Sequence, residues 1–95
     1  MAFHWTDATC VIEQLWPGIN LELASAQAER IASAAVSRGR DGQTRVLGAT
    51  LIPNDETLFT WCAAPSTEVV RELLTASGIR FNRVLDVLDA SGRRS

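Results

Sequence analysis

The chain has 95 residues, of which 46% are hydrophobic and 21% charged, with a formal net charge of −2. This length suits one domain with its own hydrophobic core, and this balance of apolar and charged residues excludes an intrinsically disordered chain. The net charge does not favour nucleic-acid binding, because phosphates require a basic protein surface. No apolar run approaches the ~20 residues of a transmembrane helix, and the first residues do not resemble a signal peptide. We therefore expect a soluble, cytoplasmic protein that does not bind a membrane.

The first third of the chain predicts a strand followed by a helix. The strand covers residues 9–16 and ends at Pro17. Asn20 is a suitable N-cap, because its side chain can accept a hydrogen bond from a free N–H of the first turn. The helix then reaches about Arg38, and its apolar side chains recur at spacings of 3 and 4. These side chains are Leu21, Ala24, Ala28, Ile31 and Ala35.

The predicted apolar stripe is mostly alanine, so this helix can approach its sheet closely. Its polar residues fall mostly outside the stripe, and we expect them in solvent: Glu22, Gln27, Glu29 and Arg30. The next segment, residues 37–44, contains two glycines and alternating charge. Its spacing fits neither of the common glycine-rich phosphate-binding motifs, so it predicts a plain connection between helix and strand.

The rest of the chain predicts a hairpin, a second helix and a last strand. Two apolar runs, residues 46–52 and 57–63, flank a Pro-Asn-Asp-Glu turn. Ser66 is the expected N-cap of the second helix, and Gly78 is expected to end it. The last strand covers residues 81–88.

The order of elements is therefore β-α-β-β-α-β, which predicts a ferredoxin-like α+β plait. This fold has a four-stranded antiparallel sheet with both helices on one face, and its first strand lies between the third and the fourth. The single domain takes in residues 1–95, with a core at about 8–89 and a frayed tail at 90–95.

The sheet face that the helices leave open is the expected site of association and binding. Because the helix side should be the drier one, we place Phe59, Trp61, Ile12, Leu85 and Val87 there. The open face then carries Val11, Glu13, Leu15, Leu58, Thr60, Cys62, Val84, Asp86 and Leu88. Such an apolar face requires a cover, and a second copy is the simplest one, since twofold dimers are the commonest assembly. The opposite alternation would expose two aromatic residues, which requires a cover even more.

Glu13 and Asp86 form the candidate site on that face. Antiparallel pairing of the first and last strands should place these two residues roughly opposite each other, with Thr60 and Cys62 lining the same cavity. Two carboxylates in an apolar setting share a proton, pair with a cation or bind a metal, so one pKa should be raised. The alternative is that each carboxylate reaches water or pairs with an arginine such as Arg83.

Cys10 and Cys62 both lie within predicted strands. A disulfide between neighbouring strands fits the geometry, but the pattern favours buried free thiols. Neither cysteine has a base nearby in sequence, so the two do not indicate a nucleophilic site.

Four segments of the chain form a recognisable pattern: Glu13 with Trp-Pro-Gly at residues 16–18, then GATLIPNDET, AAPS and ASGIRFNRVLDV. This pattern resembles a small bacterial family of unknown function, one branch of which is described as nickel-binding and ferredoxin-like. The resemblance implies acidic positions at Glu13, Asp55 and Asp86, and nickel or another divalent metal as a ligand. Arg80 stands where that family usually has proline. The single histidine, His4, lies upstream of the matched region, so a nickel site with imidazole ligands would have to be shared between two chains.

These observations predict a small, non-enzymatic homodimer that binds a metal or small ligand through Glu13, Asp86, Thr60 and Cys62, with His4 as a further metal ligand. The alternative is a dimeric ferredoxin-like enzyme, of the cofactor-independent oxygenase or isomerase type, that uses a carboxylate as a base.

Overall fold

The elements of the fold follow one another in the predicted order. The computed structural model describes residues 8–38 and 43–88. Its elements are β1 (Cys10–Leu15), α1 (Leu21–Arg38), β2 (Arg45–Ile52), a 3-10 turn (Pro53–Asp55), β3 (Thr57–Ala63), α2 (Thr67–Ala76) and β4 (Arg83–Asp86). The sheet has the order β2-β3-β1-β4 with antiparallel neighbours. The predicted ferredoxin-like plait and the central position of its first strand are confirmed.

Both helices begin and end through the interactions that the sequence indicates. The side chain of Asn20 accepts a hydrogen bond from the backbone N–H three residues later, at 2.8 Å, and Ser66 caps α2 in the same way at 3.2 Å. After α2, Gly78 has a φ of +70°, and the Ile79 N–H donates to the Leu74 carbonyl at 2.9 Å. This left-handed glycine closes a Schellman motif and turns the chain toward β4.

The core lies between the helices and one face of the sheet. Ile12 of β1 stands opposite Thr60 on one side and Val84 on the other, and residues directly opposite each other share a face. That face packs against apolar residues of both helices, including Ile31 of α1 and Leu74 of α2, each 0% exposed. The helices therefore cover this face, as predicted.

The predicted alternation is right for β1 and wrong for β3 and β4. On the helix side lie Leu58, Thr60, Cys62 and Val84, all buried. On the open face lie Phe59, Trp61 and Leu85, all half-buried. The reason is steric: α1 contributes alanines to the core, and a helix that packs through alanine leaves space for Thr60 and Cys62 but not for an indole ring.

The buried stripe of α1 also differs from its prediction at two positions. Leu21 is 72% exposed, whereas Gln27, expected in solvent, is 8% exposed. Gln27 follows Ala24 by three residues and precedes Ile31 by four, so it lies on the same side of the helix as these two core residues.

Cys10 and Cys62 are paired directly across β1 and β3, and both are buried free thiols, as the pattern favoured. The hydrogen bond between the two thiols, together with burial, raises the pKa of Cys62. The raised pKa keeps the Cys62 thiol protonated, and the side chains of both cysteines pack in the helix-side core.

Two threonines of β3 allow a test of this packing. Thr60 is 0% exposed and its hydroxyl has no partner among the described residues, whereas the buried Thr57 hydroxyl donates to the Asp55 carbonyl at 2.8 Å. We expect Thr60→Val to raise the free energy of unfolding by about 1–2 kcal/mol, because a methyl replaces an unpaired hydroxyl. Thr57→Val should lower it by about 1 kcal/mol. Urea denaturation measures both, and equal destabilisation by the two changes would contradict the prediction.

Candidate functional site

Glu13 and Asp86 lie on opposite faces of the sheet. The register pairs Glu13 with Arg83 and Asp86 with Cys10. Because Cys10 belongs to the helix-side core, Asp86 shares that side, and Glu13 points to the open face. The predicted pairing of the two carboxylates is therefore wrong. Its cause is the register of β4, because Arg83 stands opposite Glu13 where residue 86 was expected, and a shift by an odd number of residues exchanges the two faces of a strand.

Glu13 instead forms an ion pair with Arg83. The guanidinium donates through Nε to Oε1 at 2.7 Å and through Nη2 to Oε2 at 3.1 Å. This two-point hydrogen bond lowers the pKa of Glu13. The sequence predicted a raised pKa for one member of the Glu13–Asp86 pair, and that pair does not form. The alternative interpretation, a carboxylate paired with an arginine, holds for Glu13.

The other predicted site residues do not join Glu13. Thr60 and Cys62 are 0% exposed in the helix-side core and line no cavity on the open face. His4 lies outside the described residues. Within residues 8–38 and 43–88, no three side chains of His, Cys, Asp or Glu form a group that could hold a metal ion. The expected arrangement of metal ligands is not found in this part of the chain.

A different site lies where β1 ends, between α1 and the segment that joins α2 to β4. Here a cavity of about 420 Å³ opens to solvent on one side. Its lining consists of residues 14–17, Gln27 and Arg30 of α1, Gly78, and residues 80–82. This volume falls in the range of small-molecule binding sites, about 300–1,000 Å³. We name it the β1-end cavity.

Hydrogen bonds to β1 fix one wall of the β1-end cavity. Gln14 Nε2 donates to the Arg80 carbonyl at 2.7 Å. Asn82 accepts a hydrogen bond from the Leu15 N–H at 2.7 Å, and its own N–H donates to the Glu13 carbonyl at 2.9 Å. The segment before β4 therefore has a defined position relative to the end of β1.

The turn after β1 is held from the opposite side by the hairpin. Glu56 accepts the Trp16 N–H through its backbone carbonyl at 2.8 Å and the Gly18 N–H through its carboxylate at 2.9 Å. Gly18 has a φ of +80°, which favours glycine. The Trp-Pro-Gly segment thus positions the indole of Trp16 at the cavity.

Several polar groups of the β1-end cavity lack partners among the described residues. Gln14 is 5% exposed, and its enclosed Oε1 has no hydrogen-bond donor there. Gln27 is 8% exposed, and its amide has no hydrogen-bond partner in the described chain. Arg30 reaches the Gly78 carbonyl only at 3.5 Å, and no carboxylate of the described residues lines the cavity. A bound molecule could accept hydrogen bonds from Gln27 and Arg30.

The sequence predictions did not include these residues in a site, although the sequence pattern around two of them is unusual. Gln14 continues the inward alternation of Cys10 and Ile12, and Gln27 interrupts the apolar stripe of α1. A polar amide at an inward position is the pattern that could have indicated the cavity. Arg80 was noted only as a departure from a family pattern, and nothing in the sequence singled out Arg30.

Comparisons with known proteins support the fold and do not assign a family. No protein-family model matches the chain, and no curated protein matches it. The crystal structure of SCO4226 from Streptomyces coelicolor A3(2) is similar, with a TM-score of 0.65 and 21% sequence identity, over 87% of this chain and 100% of that chain. At this identity the likeness extends to the fold alone. Neither helix of the described residues is long and apolar enough to cross a membrane.

The Glu13–Arg83 pair predicts a specific pH dependence of stability. Because the folded-state pKa of Glu13 lies below its ordinary value of 4.5, the pair stabilises the fold above that pH. This contribution is lost as the pH falls through the lowered pKa. We expect Glu13→Gln to reduce the acid sensitivity of the free energy of unfolding, measured by denaturation at a series of pH values.

Arg83→Gln is the matched control, since it should restore the ordinary pKa of Glu13 and remove the same pH-dependent contribution. An unchanged acid dependence in both variants would contradict the assignment of this pair.

Proposed function

We propose that this chain is a small, non-enzymatic binding protein that holds a small organic molecule in the β1-end cavity. The observation that carries the proposal is the amide of Gln27, which lines the cavity, is 8% exposed and has no hydrogen-bond partner among the described residues. Leaving a buried polar group unpaired costs about 1–3 kcal/mol. A site that retains such a group gains from a ligand that completes its hydrogen bonds.

The construction of the β1-end cavity supports ligand binding rather than a packing defect. Hydrogen bonds fix the wall formed by the segment before β4, and Glu56 fixes the turn that carries Trp16. A wall that is already ordered in the free protein loses little conformational entropy when a ligand enters. The cavity also combines aromatic and polar side chains, which is typical of small-molecule sites.

The alternative, an enzyme with a carboxylate base, receives less support. No carboxylate of residues 8–38 and 43–88 lines the β1-end cavity, and Arg83 lowers the pKa of Glu13, which makes it a weaker base. Metal binding, which the family resemblance implies, stays a prediction for this chain. It would need ligands other than Glu13 and Asp86 together, because the sheet separates these two side chains.

Homodimerisation through the open face and a cytoplasmic location also stay proposals. The observed alternation places Phe59, Trp61 and Leu85 on the open face, together with Ile52 of β2. A second copy that covers these side chains would remove apolar surface from water. The revised alternation therefore supports association as much as the original one did.

Filling the β1-end cavity should abolish ligand binding. The test adds small fragments, both neutral and charged, to the ¹⁵N-labelled protein. We expect fragment binding to change the amide chemical shifts of Gln14, Gln27 and residues 80–82. Gln27→Trp should remove these changes, because the indole would occupy the cavity. The measurement is a series of ¹H–¹⁵N correlation spectra.

Ala26→Trp provides the control, since it places the same side chain at the neighbouring, exposed position of α1. It should bind fragments as the unmodified chain does. Fragments that bind only elsewhere, or that bind Gln27→Trp equally well, would overturn the proposed function.

Association is tested by sedimentation at micromolar concentration. We expect a dimer, and we expect Phe59→Lys to produce a monomer, because it places a charge within the apolar open face. Ser25→Lys, which adds the same charge at an exposed position of α1, should remain dimeric. A monomeric unmodified protein would rule out the dimer.

A further inference from the structure

We infer that the ligand of the β1-end cavity is a small organic carboxylate with a flat apolar portion. This inference rests on the proposed function and specifies the chemical class that the cavity selects. It follows from the charge and the aromatic side chains of the lining and from the unpaired amide of Gln27.

The charge of the cavity lining is opposite to that of the whole chain. The chain carries a net charge of −2, whereas the described cavity lining contains Arg30 and Arg80 and no acidic residue. Neither arginine forms an ion pair with a carboxylate of the described residues. Guanidinium groups bind carboxylates through paired, charge-assisted hydrogen bonds, so two unpaired arginines beside a cavity select an anion.

Both arginines are held close to the cavity by the structure around them. The Arg80 carbonyl accepts the 2.7 Å hydrogen bond from Gln14, which fixes its backbone at the cavity wall. Arg30 projects from α1, and its Nη2 lies 3.5 Å from the Gly78 carbonyl on the facing segment. Such a long contact leaves most donors of the guanidinium available to a ligand.

The apolar part of the ligand is indicated by the side chains beside these cations. Trp16 and Phe81 are both half-buried and line the cavity, with Pro17 next to them. Aromatic rings pack favourably against flat apolar groups. Inorganic phosphate or sulfate would leave these rings without a contact, so the lining favours an organic acid.

The unpaired amide of Gln27 points to the same class of ligand. Gln27 is 8% exposed, and its amide makes no hydrogen bond with the described chain. The polar atoms of this amide are not fully enclosed by the protein. Its N–H groups can therefore donate to a carboxylate oxygen that enters the cavity. Gln27, Arg30 and Arg80 all line the cavity, and the side chain of each carries N–H donors that a carboxylate accepts.

Benzoate and benzamide test the inference, because they share one shape and differ in charge. Titration of each into the ¹⁵N-labelled chain should show benzoate bound in the β1-end cavity at least about tenfold more tightly than benzamide. Arg30→Gln should reduce the affinity for benzoate by a similar factor and leave that for benzamide unchanged. Shifts of the Gln14 and Gln27 side-chain amides report that binding is in the cavity.

Arg71→Gln is the control, because Arg71 also lies on a helix with one 3.5 Å contact to a backbone carbonyl, that of Val84, but does not line the cavity. It should leave both affinities unchanged. Equal binding of both probes in the cavity would overturn the inference and leave the proposed function standing. If benzoate does not bind in the cavity at millimolar concentration, the inferred ligand class is also wrong. The fragment experiment then tests the proposed function separately.

Discussion

The register between β1 and its two neighbours is the constraint on which the rest of this structure depends. Ile12 stands opposite Thr60 and Val84, and a shift of one residue in either pairing would exchange the two faces of a strand. The same register brings Arg83 to Glu13, so this carboxylate acquires an ion pair on the open face. It also sends Gln14, the next inward residue after Ile12, to the end of the core, where the β1-end cavity begins.

The β1-end cavity exists because the elements around it diverge where β1 ends. Beyond Leu15 the chain turns away through Trp-Pro-Gly, while the chain after α2 reverses at Gly78 to enter β4. Between these two turns the sheet and the helices no longer close on each other. Gln14 joins the two sides by its hydrogen bond to the Arg80 carbonyl, while its oxygen has no donor among the described residues. One side chain thus both supports the cavity wall and leaves an unmet polar group in it.

The local signals in the sequence were sufficient for the fold. Caps at Asn20 and Ser66 and the glycine after α2 act within a few residues, so their effects can be predicted without knowledge of the packing. The faces of β3 were assigned by the size and hydrophobicity of Phe59 and Trp61, and that assignment was wrong. Which face of a strand is buried depends on the surface that packs against it. The alanine stripe of α1 indicated a close helix, and a close helix requires small residues opposite it. That argument would have placed Thr60 and Cys62 on the helix side of β3.

The candidate site could not be predicted because its members act together only after the chain has folded. Gln14 lies on β1, Gln27 on α1 and Arg80 in the segment between α2 and β4, and each alone is an ordinary polar residue. Two of them break a local rule, because a polar amide occupies an inward position of β1 and another occupies the buried stripe of α1. Exceptions to local patterning that cost stability are expected at functional sites. Here two independent exceptions meet in one cavity, beside two arginines without carboxylate partners in the described chain. Their convergence, rather than any single residue, is the physical reason to place ligand binding at this end of the sheet.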